Sequence, residues 1–254
     1  MSCVAEHVAY LKRHGHCVRH KMTAPRLRVL TKVETRRQEL GKGSRCRGAH
    51  LDAGAHMAEM ASVVPERDFP QAPPDDTWIV QALDGAARCE TLNLARLQLT
   101  GFLAVAKVRG VQVSWSLKSF PSIRARIAAY AAGVASLDLW DSIRCRITVP
   151  SLPQALDLCQ VLTGWADVVR LRNYYRRPRL GPDDPYRAVH ACIRTSRGSF
   201  YELQVMTVWR DAVCEIDHPL VHKKSLTFES AEHRSWLGEA SWTANILDVE
   251  LSRG

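Results

Sequence analysis

A chain of 254 residues with 46% hydrophobic content can build one core of ordinary domain size plus appendages. No apolar run approaches the length that spans a membrane, and the first 20 residues are interrupted by His and Lys, so a cytoplasmic protein without a leader is expected. The formal charge of +9 is uneven: residues 1–60 hold 12 Lys/Arg against 5 Asp/Glu, and the rest hold 23 against 21, so cation chemistry beyond residue 60 must be local.

Eight cysteines with no CxxC pair read as reduced thiols, several of them packing as small hydrophobes. Cys3, His7, His14, His16, Cys17 and His20 have zinc-type chemistry without a standard spacing, so no structural zinc is expected there. Residues 1–75 lack long periodic patterns and run into the Pro/Asp-rich VVPERDFPQAPPDDT. They read as a basic, poorly ordered extension and linker, in which RLRVLTKVETRRQEL (26–40) has the composition of a basic helix. Translation from Met57 or Met60, leaving out the upstream tract, is an alternative.

A long helix is expected from Trp78 to about Val108, opened by Asp76-Thr77. Leu92, Ala95, Leu99, Phe102 and Leu103 follow helical spacing, with Gly101 the expected weak point. GVQVSWSLKSFPSIRARIAAYAAG (110–133) reads as a strand and a helix. Val111, Val113 and Trp115 alternate with Gln112, Ser114 and Ser116, Lys118 falls on the polar side, and Ser119 caps the helix ahead of Pro121. LDLWDSIRCRITVPSLPQALDLCQVL (137–162) repeats the plan. Ile143, Cys145, Ile147 and Val149 form a buried row opposite Arg144, Arg146 and Thr148, and Leu152, Ala155, Leu156, Cys159 and Leu162 form a helical stripe.

ADVVRLRNYYRRPRLGPDDPY (166–186) gathers Arg170, Arg172, Arg176, Arg177 and Arg179 beside Tyr174 and Tyr175, residues suited to phosphate oxygens and base faces. Residues 182–207 then form a hairpin about Thr195-Ser196-Arg197-Gly198. Val189, Ala191 and Ile193 oppose Tyr201, Leu203 and Val205 on its apolar face; Tyr186, His190, Glu202 and Gln204 lie on the other. VWRDAVCEIDHPLVHKKS (208–225) is helical in pattern, and residues 229–250 read as a last amphipathic helix with Trp236, Leu237, Trp242, Ile246 and Leu247.

DPYRAVH (184–190) and YELQVMT (201–207) resemble the NGYRSLH and VEIQIRT motifs of RelA/SpoT-type alarmone synthetase domains. Residues 116–126 resemble that family's R-x-K-S-x-x-S-I-x-x-K segment through Lys118 and Arg126, with Ser116 in place of its first arginine. Asp141 to Arg146 resembles D-x-x-G-x-R, with Arg144 in place of the glycine; Arg177-Pro178-Arg179 resembles K-P-K, and Glu215, His218 and Lys223 resemble E-x-x-H…Y-K. Other departures are Asp184-Pro185 for Asn-Gly and Met206 for Arg. No His-Asp dipeptide occurs, so the hydrolase half of long bifunctional relatives is not expected.

The resemblance implies an α+β fold, a mixed five-stranded β-sheet flanked by helices, similar to nucleotidyltransferase-like synthetases. It spans 76–225, with 226–254 as a C-terminal helix packed on the domain. It implies transfer of the ATP pyrophosphate to the 3′-OH of GDP or GTP, giving (p)ppGpp. Lys118, Arg126, Arg144, Arg146 and Mg2+ would spread the donor's charge. Asp141 and Glu202 would hold the metal, with Glu202 also a base for the acceptor hydroxyl. Tyr186 would stack on the acceptor base near Gln204, with His190, Arg177 and Arg179 at the acceptor phosphates. The alternatives are a toxin-type relative that modifies the tRNA 3′ end or adenosine nucleotides, with an antitoxin partner, and a non-catalytic nucleotide- or RNA-binding module suggested by Ser116. A homo-oligomer is compatible with any of these.

Overall fold

The computed structural model describes residues 24–40, 55, 58–66, 76–134, 139–176, 186–217 and 231–250. Its centre is one sheet of β1 (Gln112–Leu117), β2 (Ile143–Val149), β3 (Val168–Asn173), β4 (Val189–Arg194) and β5 (Phe200–Thr207), in the spatial order β1-β2-β5-β4-β3. β2 and β5 run parallel, and every other neighbouring pair is antiparallel. Helices α1 (Ala24–Leu40), α2 (Asp76–Leu83), α3 (Gly85–Ala106), α4 (Phe120–Ala131), α5 (Leu152–Gly164), α6 (Val208–Asp217) and α7 (Ala231–Glu250) flank it. The expected mixed five-stranded α+β fold is what forms.

Period-two alternation decides which face is dry. Ile143, Cys145, Ile147 and Val149 of β2 share one cluster with Leu203 and Val205 of β5 and with Val189, Ala191 and Ile193 of β4. Leu152, Ala155, Leu158, Cys159 and Leu162 of α5 and Ala95, Leu99 and Phe102 of α3 cover that face. Burying each large aliphatic side chain contributes about 1.5–3 kcal/mol, so this row dominates the stability of the sheet. Burial also pushes the Cys145 and Cys159 thiols up in pKa, which leaves them as packing groups rather than reactive ones. At the hairpin turn Gly198 sits at φ +81° and its N–H donates to the Thr195 carbonyl at 2.9 Å, a conformation glycine adopts without strain.

Two expectations are corrected. The helix expected as one piece from Trp78 is two, and the break falls at Asp84-Gly85, not at Gly101, which lies inside α3. Asp84 is extended and its Oδ1 accepts from the N–H groups of Ala86 and Ala87 at 2.7 and 3.3 Å, a cap that starts a new helix. β1 is an edge strand, so its apolar side is only half covered: Trp115 packs near Tyr201, while Val113 and Leu117 are 40% and 48% exposed.

The second correction concerns residues 1–75, whose described parts belong to the fold. α1 packs on α6 and α7 with Leu30 and Val33 buried, and Arg36 and Arg37 pair with Glu250 and Glu239. Met60 and Val64 join the main core, and Asn173 Nδ2 donates to their carbonyls at 2.7 and 3.1 Å. Two side chains and two carbonyls leave no periodic trace in a sequence, which is why this stretch read as a linker. The candidate zinc-type cluster and Met57 lie outside the described residues. α7 packs on α1 and α6, yet its inner face is polar as well as apolar, with Ser241, Thr243, Asn245 and Asp248 buried beside Ile246. No described helix is long and apolar enough to cross a membrane.

Candidate active site

The face of the sheet opposite α3 and α5 carries the polar rows. Register sets Arg144 of β2 opposite Glu202 of β5, and Arg146 opposite Gln204, which in turn faces His190 of β4. Alternation chose these side chains; the parallel pairing of β2 with β5 made them neighbours.

Asp141 reaches this face through a 3₁₀ turn at Trp140–Ser142, the bend that strict alternation lacks. Its Oδ2 lies 3.0 Å from Arg144 Nη2 and 2.6 Å from Lys118 Nζ, with Oδ1 at 2.7 Å from the same ammonium. Lys118, just past the end of β1, is fixed by its N–H donating to the Ser142 carbonyl at 3.0 Å. Arg88 of α3 adds a clamp that the sequence did not signal: its Nη2 donates to the carbonyls of Lys118 and Ser142 at 2.6 and 3.1 Å. Its guanidinium stacks over Phe120, 4.8 Å from the ring centroid, and burial lowers its pKa from the ordinary arginine value. A lone arginine amid an apolar helix stripe carries no periodic or motif cue.

Arg144 bridges the two carboxylates, its Nε lying 3.3 Å from Glu202 Oε1. Glu202 Oε1 also accepts from Gln204 Nε2 and lies 3.3 Å from His190 Nδ1, while His190 Nε2 meets the Tyr186 hydroxyl at 2.6 Å. The two contacts suit a neutral imidazole that accepts from Tyr186 and turns its Nδ1 proton toward Glu202. Tyr174 stands edge-on to both rings. The expected open ring face of Tyr186 is not seen: the residue is 6% exposed, packed with Ala188, Met206 and Cys214 beneath α6.

Arg146 also departs from expectation. Its Nη1 donates to Asp211 Oδ1 and Glu215 Oε1, both at 2.7 Å, and its Nε donates to Gln204 Oε1 at 3.2 Å. Burial opposes its charge, but the two carboxylates outweigh that and hold its pKa above the ordinary value. It therefore ties α6 to the sheet, while Lys118, Asp141, Arg144 and Glu202 form an ion-paired group beside it on the same face. Asp211 was missed, although its four-residue spacing from Glu215 puts both acids on one helix face. Arg126 lies half-buried on α4 with no ion pair among the described residues. Arg177, Arg179, His218 and Lys223 lie outside the described residues.

Among the described residues no group of three or more His, Cys, Asp or Glu could cage a metal. Two carboxylates remain, Asp141 and Glu202, with side chains 15% and 16% exposed and a cation already between them. That donor set fits Mg2+, which binds through one or two carboxylates and completes its shell with phosphate and water.

No protein-family model and no curated protein matches the sequence. Solved structures do match. Small alarmone synthetase 2 from Bacillus subtilis aligns with a TM-score of 0.54 at 18% identity, over 70% of this chain and 97% of its own. Small alarmone synthetase 1 from the same organism aligns at 0.51 and 20% identity, over 70% of this chain and 96% of its own. A second structure of synthetase 1, bound to its product pppGpp, aligns at 0.50 and 21% over the same shares. The mixed five-stranded sheet with flanking helices is thus a fold shared with these synthetases. The fold is that of the small alarmone synthetases.

Proposed function

We propose that this chain transfers the β,γ-pyrophosphate of ATP to the 3′-hydroxyl of GDP or GTP, giving (p)ppGpp and AMP. The observation that carries the reading is the convergence of Lys118, Asp141, Arg144 and Glu202 on one sheet face in a synthetase fold. That a structural neighbour is bound to its product pppGpp supports the nucleotide class.

The acceptor 3′-oxygen attacks the β-phosphorus, the bond from that phosphorus to the α,β-bridging oxygen breaks, and AMP leaves with the electron pair. Glu202 takes the hydroxyl proton, and His190, set against it at 3.3 Å, fixes the carboxylate's orientation. Lys118 and Arg144 offset the triphosphate's repulsion toward the incoming oxygen, charge that grows in the transition state. Asp141 and Glu202 would hold Mg2+, which supplies further neutralisation of the phosphates. Arg146 keeps Gln204 and α6 in register behind the site.

A second reading takes as acceptor the tRNA 3′ end or an adenosine nucleotide, and the covered ring of Tyr186 does not select among acceptor bases. Purified protein incubated with ATP labelled in the γ-phosphate and GDP, GTP, ATP or tRNA separates the readings. Label in a guanosine tetra- or pentaphosphate supports the first, label in tRNA or an adenosine product the second. Nucleotide binding without transfer overturns both and leaves a binding module.

A further inference from the structure

The antiparallel register of β1 and β2 places Ser116 directly opposite Arg144, on the face that carries the site. These are the two positions at which the chain departs from the R-x-K and D-x-x-G-x-R patterns it otherwise follows: serine where an arginine stands, and arginine where a glycine stands. Neither departure is informative alone. In the structure they form one cross-strand pair.

We infer that the donor-phosphate arginine of this site has crossed the strand pair, so that Arg144 supplies from β2 the guanidinium that position 116 would supply from β1. The inference rests on the pyrophosphotransferase reading above. Side chains directly opposite in an antiparallel pair stand about 4.5–5.5 Å apart at Cβ, so a guanidinium from either strand reaches the same volume. Two arginines there would set like charges face to face, which destabilises a pair, so an arginine at 144 goes with a small neutral residue at 116.

The surroundings of Arg144 agree with a ligand-binding role. Its side chain is 29% exposed, whereas that of Arg146, one register step along, is 16% exposed and closed by Asp211 and Glu215. Neither carboxylate beside Arg144 depends on it: Asp141 has Lys118, and Glu202 has Gln204 and His190. Its Nε is buried 3.3 Å from Glu202, so the exposed part of the side chain lies elsewhere on it. A part-exposed guanidinium between two separately satisfied acids is placed to take a phosphate oxygen.

The test is an exchange. Binding of an α,β-methylene ATP analogue with Mg2+ is measured by calorimetry for the wild type, Arg144→Ala, Ser116→Arg and Ser116→Arg/Arg144→Ala. Arg144→Ala is expected to weaken binding by about 10–100-fold, the loss of one charge-assisted contact. The double variant should return to within about fivefold of the wild type, and Ser116→Arg alone should melt lower than the wild type through like-charge crowding. Arg144→Gln, which keeps the side-chain bulk, repeats the measurement if the alanine variant does not fold. Unchanged or tighter analogue binding without the arginine overturns the inference, as does a folded double variant that binds no better than the single one. The outcome is independent of the proposed reaction: a wild type that binds the analogue but transfers no pyrophosphate overturns the reaction alone. A wild type that binds no analogue overturns both.

Discussion

Removing the Arg146 side chain should cost stability before it costs anything else. Arg146→Ala deletes two charge-assisted hydrogen bonds of 2.7 Å to Asp211 and Glu215 and a third contact of 3.2 Å to Gln204. The two acids, with side chains only 8% exposed, lose the guanidinium that Arg146 brings to them. Breaking a buried ion pair from one side costs about 3–5 kcal/mol, chiefly through the stranded charge. That is a large share of the ~5–15 kcal/mol that holds a domain together. Urea unfolding followed by circular dichroism should show the midpoint falling with an unchanged slope. Asp211→Asn and Glu215→Gln added to Arg146→Ala should recover at least half of the loss, because amides tolerate the absence of the guanidinium. Arg146→Lys should fall between, since one ammonium cannot fork between two acids and an amide. A loss below about 1 kcal/mol for Arg146→Ala, the range of an exposed pair, would refute the assignment of Arg146 to the α6 contact and return it to the donor phosphates.

Glu202→Gln should lower the proposed pyrophosphate transfer by about 10²-fold or more with the far-ultraviolet spectrum intact, since it would remove the proposed base and metal ligand together; unchanged turnover would sink the mechanism. Asn173→Ala should destabilise by about 2–4 kcal/mol in the same urea assay, because it takes the Nδ2 donor from the carbonyls of Met60 and Val64 and the Oδ1 acceptor from the N–H of Tyr175. A neutral result would detach residues 58–66 from the fold. Burial pushes Asp248 from 3.8 up to about 8, against the pull of Arg210 and of the Thr207 hydroxyl. Between those values the folded chain holds a proton the unfolded chain has lost, so stability should fall as pH rises, by at most about 1.4 kcal/mol per pH unit. Thermal melts from pH 5 to 9 should slope less in Asp248→Asn than in the wild type, and parallel curves would count against a buried, protonated Asp248.

The sheet and its two faces were legible in the amino-acid order, because period-two alternation in 143–149, 189–193 and 201–205 is a local property of the chain. Gly198 marked the hairpin for the same reason, whereas Asp141, Glu202, Lys118 and Arg144 were named through the resemblance of short motifs to those of a known family. Distances between strands were not legible. Whether Arg144 meets Glu202, and Ser116 faces Arg144, depends on pairings that bring together residues 58 and 28 positions apart. Tertiary structure alone decided that Arg146 belongs to Asp211 and Glu215, because the direction of α6 after β5 is set by packing, as the burial of Tyr186 against Cys214 is. It alone drew α1, Met60 and Val64 into the fold, through contacts too few to leave a period. Alternation records which way a side chain points; it holds no record of what comes from a distant part of the chain to meet it.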